Sequence, residues 1–202
     1  DNTWLADPDR VYPVTVDPVV KIIGGTVGFI KVVQITSADS SSPTEDEVIV
    51  GTSEGTPYRV YVGIRKCDLP QVPEGYKVSR AGFTLVKNTV ECSTDSEKYD
   101  VYAFDNVPEN NLTWNTSEAF DSSAIIKTIT TNCGEEASYI DISIKKHIGD
   151  WQSITNTSSY CGIMLKQEAE NTAVNSNISL CSNYAEYSAY RPSLYIEYAS
   201  ED

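Results

Sequence analysis

The stretch SYIDISIKKHIGDW, residues 138–151, changes its period half-way along. Ile140, Ile142 and Ile144 alternate with Asp141, Ser143 and Lys145, the two-residue step of a strand with one buried face and one wet face. From Ile144 onward the apolar positions are Ile144, Ile148 and Trp151, at i, i+4 and i+7, the spacing of one helix face. A half-buried strand running into a short helix or helical turn over 144–151 is the expectation.

Working outward, the strand period recurs in YRVYVGI with Val60, Val62 and Ile64, in AGFTLV with Ala81, Phe83 and Leu85, and in PSLYIEY with Leu194 and Ile196. Turn formers and charges break the pattern at TSADSSSPTEDE (36–47), LPQVPEGYK (69–77), STDSEKYD (93–100) and NTSSY (156–160), which read as connections between strands. A chain of 202 residues can use its whole length in one β-sandwich. Residues before about 20, built around Pro8, Pro13, Pro18 and the short VYPVTV run, read as a lead-in from a neighbouring unit. The expected division is therefore 1–20 and 21–202.

Fifteen basic against 29 acidic residues give a net charge of -14, which repels nucleic-acid phosphates and anionic membrane surfaces. Apolar runs are short and broken, so none reaches the roughly 20 residues of a membrane-crossing helix. The opening DNTWLADPDR lacks the basic start and apolar centre of a secretion signal. Cys67, Cys92, Cys133, Cys161 and Cys181 are odd in number and contain no CxxC pair. Small apolar core residues are the plainer reading of most of them, with one or two disulfides open and unassigned.

Signals for catalysis are sparse. His147 is the only histidine, so a multi-histidine metal site is excluded and any Ser-His or Cys-His mechanism would need this residue, which sits beside two lysines in KKHIGDW. Neither GxxxxGK[ST] nor GxGxxG occurs, and Gly24-Gly25 in KIIGGTVGF fits a turn or bulge better than a phosphate cradle. With so many acids, a glycosidase-like carboxylate pair could be drawn anywhere and carries no weight. Four N-x-[ST] sequons, at Asn111, Asn115, Asn156 and Asn177, are what a chain rich in Asn, Ser and Thr yields by chance.

Three clusters are candidates for binding. Asp39, Glu45, Asp46 and Glu47 offer hard oxygens of the kind calcium accepts, without EF-hand spacing, against the simpler reading of a solvated acidic loop. Trp4, Trp114 and Trp151 could stack on sugars, although core packing is the simpler reading of the last two. In SNYAEYSAYRP, Tyr184, Tyr187, Tyr190 and Arg191 lie in a polar stretch just before the last strand, with Asn183 and Glu186 beside them. Such rings can stack on and hydrogen-bond to sugars, but a three-residue step would scatter them over different faces of an extended chain.

The order of these pieces resembles the DNRLRE family of bacterial surface modules. The residues that carry the resemblance are WLADPDRVYPVTVDP, a Ser-rich loop leading into VIVGTSEGTPYRVYVGI, and LP followed by VSRAGFTL. After these come YDVYAFDNV with LTWNT, IDISIKKHIGDW, YCGIMLK and the closing YRPSLYIEY. The chain departs from the family in lacking the DNRLRE string, and in its five cysteines and acidic balance. The resemblance implies a jelly-roll-like antiparallel β-sandwich and a non-catalytic module of a larger bacterial surface or secreted protein, beside YD-repeat or cell-wall-associated units. It implies binding to cell-wall or environmental polysaccharide, at an extracellular location. The expectation is an all-β domain with a glycan or other domains of its parent chain as partners, no nucleic acid, no membrane insertion, and no cofactor beyond a structural calcium. The alternative is a structural spacer with no ligand of its own.

Overall fold

Strand alternation fixes which side chains must be covered, and the computed structural model shows how they are; it describes residues 18–24, 30–37, 40–41, 45–92, 95–118, 124–153, 158–170 and 173–201. Twelve strands among the described residues form an antiparallel, jelly-roll-like sandwich. One sheet holds β1 (Val19–Ile23), β4 (Glu47–Ser53), β6 (Tyr76–Glu91), β9 (Ser138–Ser143), β11 (Ser176–Cys181) and β12 (Ser193–Ser200). The other holds β2 (Ile30–Ile35), β3 (Ser40–Ser41), β5 (Thr56–Arg65), β7 (Ser96–Val107), β8 (Ile125–Asn132) and β10 (Tyr160–Gln167). The β4–β5 hairpin joins the sheets at one corner through Glu54 and Gly55, whose positive φ values of 49° and 77° give a turn that suits the strand twist.

The main core lies between the sheets. Val48, Phe83, Leu85, Ile142, Leu180 and Leu194 from the first sheet meet Val32, Val60, Ile64, Val101, Ile163 and Leu165 from the second. Ile140, Ile142, Ile144, Ile148 and Trp151 are all buried in this core, so the period change at 144 is a real change of structure. The helix it announces is α2 (Lys145–Ser153), and α1 (Trp114–Glu118) is a shorter helix earlier in the chain that the sequence pattern does not announce.

Two expectations are corrected. The SEKYD half of 93–100 is strand rather than connection, because Ser96–Asp100 pairs with Thr128–Asn132 of β8, burying Tyr99 while Glu97 and Lys98 keep contact with water. Also, β5 is not wet on one side: its outward Tyr61 is buried with Val33, Ile35, Tyr102, Phe104 and Met164. The β7–β8 connection covers that outer face with Leu112 and Trp114. Arg59 fastens this cover. Its guanidinium lies 3.9 Å from the Trp114 ring centroid, donates to Ser117 Oγ at 2.7 Å, and pairs with both Glu170 oxygens at 2.8 and 2.7 Å. Such a planar fork satisfies a buried cation as a lysine could not. Close approach of β5 and β10 needs Gly162 opposite Gly63, since a Cβ on Gly162 would come within 2.2 Å of the Val62 carbonyl oxygen.

Of the lead-in expected over 1–20, residues 1–17 lie outside the described residues, and with them Trp4 and the VYPVTV run. Its last residues, Val19 and Val20, are already strand, pairing with Glu197 and Ile196.

Of the five cysteines, Cys92 and Cys133 form a disulfide across 41 positions, with Cα atoms 5.6 Å apart. Cys92 follows β6 in one sheet and Cys133 follows β8 in the other, so the bond staples the sheets together. Closing a loop of this size restricts the unfolded chain by about 2–4 kcal/mol. Equilibrium urea denaturation of C92S/C133S should show a loss of that order; an unchanged midpoint would contradict the staple.

Beside the staple, buried Lys87 pairs with Glu135, which also accepts the Asn132 backbone N–H at 3.0 Å. The Lys87 hydrogen bond, then the Asn132 N–H, holds the Glu135 carboxyl below its ordinary range. A folded pKa below the unfolded one adds stability that is present at neutral pH and lost as pH falls through the folded value. E135Q should therefore be less stable than the native chain at neutral pH, and the two should converge at acid pH. A difference that stays constant across urea titrations at several pH values would refute this.

Candidate functional site

β6 has strand partners on both flanks, with β9 covering 82–87. On one side lies β9, with Val86 opposite Tyr139; on the other, β12 occupies 76–84 and β11 occupies 87–91. Thus β11 and β12 run in the same direction along one flank of β6, as a single line of strand interrupted by the excursion 182–192. The tyrosine segment is that excursion.

At the break, the outward side chains form a row across four strands. Glu47 pairs with Cys181, whose neighbour Leu180 pairs with Lys87, and Val86 pairs with Tyr139. Val86, Cys181 and Ala185 make a small apolar floor. Above it, a groove of about 550 Å3 runs between Tyr187 and Tyr190 of the excursion and Tyr139 of β9, with Asp46, Glu47, Asn88 and Glu186 on its rim. That volume falls within the roughly 300–1,000 Å3 of small-molecule sites.

The excursion is held from below. Ser182 donates its N–H to the Asp46 carbonyl at 2.7 Å and its hydroxyl to the Glu45 carbonyl at 2.6 Å, and accepts the Tyr184 N–H at 2.9 Å. Arg191 Nε donates to the Ala185 carbonyl at 2.8 Å, closing the loop on itself. Gly24 N–H donates to the Pro192 carbonyl at 2.7 Å.

The expected scattering of the tyrosines does not occur for the pair that matters. Residues 188–190 form a 310 turn, and at three residues per turn positions i and i+3 eclipse. Tyr187 and Tyr190 consequently sit edge to face, 5.7 Å between ring centroids, and remain 62% and 45% exposed. Tyr184 and Arg191 do not line the groove; Tyr184 is exposed nearby and Arg191 braces the backbone.

Of the acidic candidates, Asp46 and Glu47 reach the groove rim, whereas Glu45 contributes its carbonyl to Ser182. Asp39 lies outside the described residues. Asn88 and Ser179 both donate to the Glu47 carboxylate, and among the described residues no three acidic, histidine or cysteine groups converge as metal ligands. Trp151 is buried in the core and Trp114 gives one ring face to Arg59, so neither presents an open platform. His147 is half-buried and stacks on Trp151 at 6.0 Å.

Sequence reasoning passed over Tyr139, Asn88 and the reach of Asp46. Tyr139 was detectable, because it shares the wet parity of Asp141 and Ser143, and an aromatic residue on a solvent-facing strand position is 61% exposed here. The convergence of the acidic loop with the tyrosine segment had no local signal.

No family model matches the chain. No curated protein matches it either. Among solved structures, a cryo-EM structure of Mud crab tombus-like virus aligns over 95% of this chain and 84% of that one, at 11% identity and a TM-score of 0.31. No helix among the described residues is long and apolar enough to cross a membrane.

Of the three free cysteines, Cys67 is exposed while Cys161 and Cys181 are buried. Burial pushes both buried thiols up, with the Asp105 carboxylate adding at Cys161, and Glu47 and Asp46 adding at Cys181. A thiol that is neutral and covered reacts slowly. A chromogenic disulfide reagent should titrate one thiol rapidly in the native protein and three after denaturation without reductant. Rapid reaction at Cys181 in the native state would show the groove floor to be open.

Proposed function

We propose that the chain is a non-catalytic, extracellular module that binds a polysaccharide segment in the groove between the 182–192 excursion and β9. The observation that carries this reading is the trio of exposed tyrosines around one groove, Tyr139, Tyr187 and Tyr190. Ring faces pack against the apolar faces of pyranoses, and the phenolic hydroxyls beside them meet sugar hydroxyls. Tyr187 and Tyr190 are set by a hydrogen-bonded turn (Tyr190 N–H to the Tyr187 carbonyl, 3.0 Å), which lowers the ordering cost of binding.

The resemblance to DNRLRE surface modules points the same way, and the disulfide suits an oxidising compartment outside the cell. A spacer role has less support. It leaves the groove of three exposed tyrosines, Tyr139, Tyr187 and Tyr190, without a role.

The test is a glycan panel that includes neutral, basic and acidic oligosaccharides, together with cell-wall preparations. Y187A and Y190A should each weaken retention on the best ligand by roughly tenfold or more, as loss of an aromatic anchor does. Thermal melts should stay near native, because the rings are exposed. Absence of retention on every glycan and wall preparation would overturn the reading.

A further inference from the structure

The groove carries three carboxylates, Asp46, Glu47 and Glu186, and no basic side chain lines it among the described residues. Glu47 is committed to Asn88 and Ser179. Asp46 and Glu186 are exposed, and among the described residues neither takes part in an ion pair. The paired rings of Tyr187 and Tyr190 stand beside them, and a tyrosine π-face attracts a cation at close range. The same site therefore offers an aromatic face and uncompensated negative charge within one groove.

Net charge acts in the same sense. At -14 the whole molecule repels polyanions, so uronic-acid, sulfated and phosphate-bearing polymers meet a barrier before they reach the groove and a second one inside it. A neutral sugar would stack on the tyrosines and leave Asp46 and Glu186 with water. A sugar bearing a protonated amine would use both features, setting its ammonium against the carboxylates and the ring faces while its pyranose face packs on the aromatic wall.

Resting on the reading of the groove as a glycan site, we infer that its ligand is a basic glycan, one whose amino sugars are free rather than N-acetylated. The amine supplies specificity through Asp46 and Glu186; the tyrosines supply affinity for any pyranose chain.

The measurement is calorimetric titration of the full chain with chitosan oligosaccharides and with fully N-acetylated oligosaccharides of the same length. The free-amine series should bind at least about tenfold more tightly, and its advantage should shrink with added salt and as pH rises through the amine's own pKa. D46N/E186Q should abolish the preference, bringing the free-amine series down to the affinity of the N-acetylated one, while Y187A should weaken both series. Both carboxylates are exposed, so circular dichroism and melting of the double variant should match the native chain. Equal affinity for the two series would overturn this inference and leave the glycan groove standing. A preference that survives in D46N/E186Q would place the amine elsewhere and also overturn it. Binding of neither series, with no retention on any other glycan, would overturn both readings.

Discussion

The sandwich hangs on β6. Over its 16 residues this strand pairs with β9 on one flank and with β12 and then β11 on the other. It also supplies Ala81, Phe83 and Leu85 to the core. Its far end carries Cys92, and Lys87 near that end receives Glu135, so the crossing between sheets is tied to the same strand by a covalent bond and an ion pair. The backbone donors and acceptors of three other strands, β9, β11 and β12, are satisfied through it, which an isolated hairpin could not achieve. Shifting β6 by one residue would turn its inner face outward and move the groove floor with it.

What the sequence made legible is what depends on one face of one element. Ile140 to Trp151 could be read because their period answers to a single buried surface, first of a strand and then of a helix. Burial on a second face leaves no such trace. Tyr61, Met164 and Phe104 belong to the outer cluster only because a distant segment, 107–118, folds over them. That segment is held by Arg59, whose partners Ser117 and Glu170 lie far along the chain. The Cys92–Cys133 pairing likewise requires knowing that β6 and β8 end at the same place.

The candidate site was half legible for the same reason. Composition pointed to the 182–192 tyrosines and to the acids near 45–47 as separate possibilities. Their meeting comes from the β4–β11 pairing and from Ser182, which bonds to both Glu45 and Asp46. The three-residue spacing of Tyr187 and Tyr190 looked unfavourable because it was measured against extended chain. A 310 turn has that period, and it converts the spacing into adjacency.

Because β11 and β12 lie end to end along β6, the excursion between them starts and finishes at one point in the sheet and takes no part in any strand register. Insertions, deletions and substitutions inside it need not disturb the pairing on either side, provided Ser182 and Pro192 keep their anchoring bonds. The molecule is in this sense divided between an inherited frame and a replaceable cassette. Evolution, or a designer working with a library, could change what the groove recognises while leaving the sandwich as it stands.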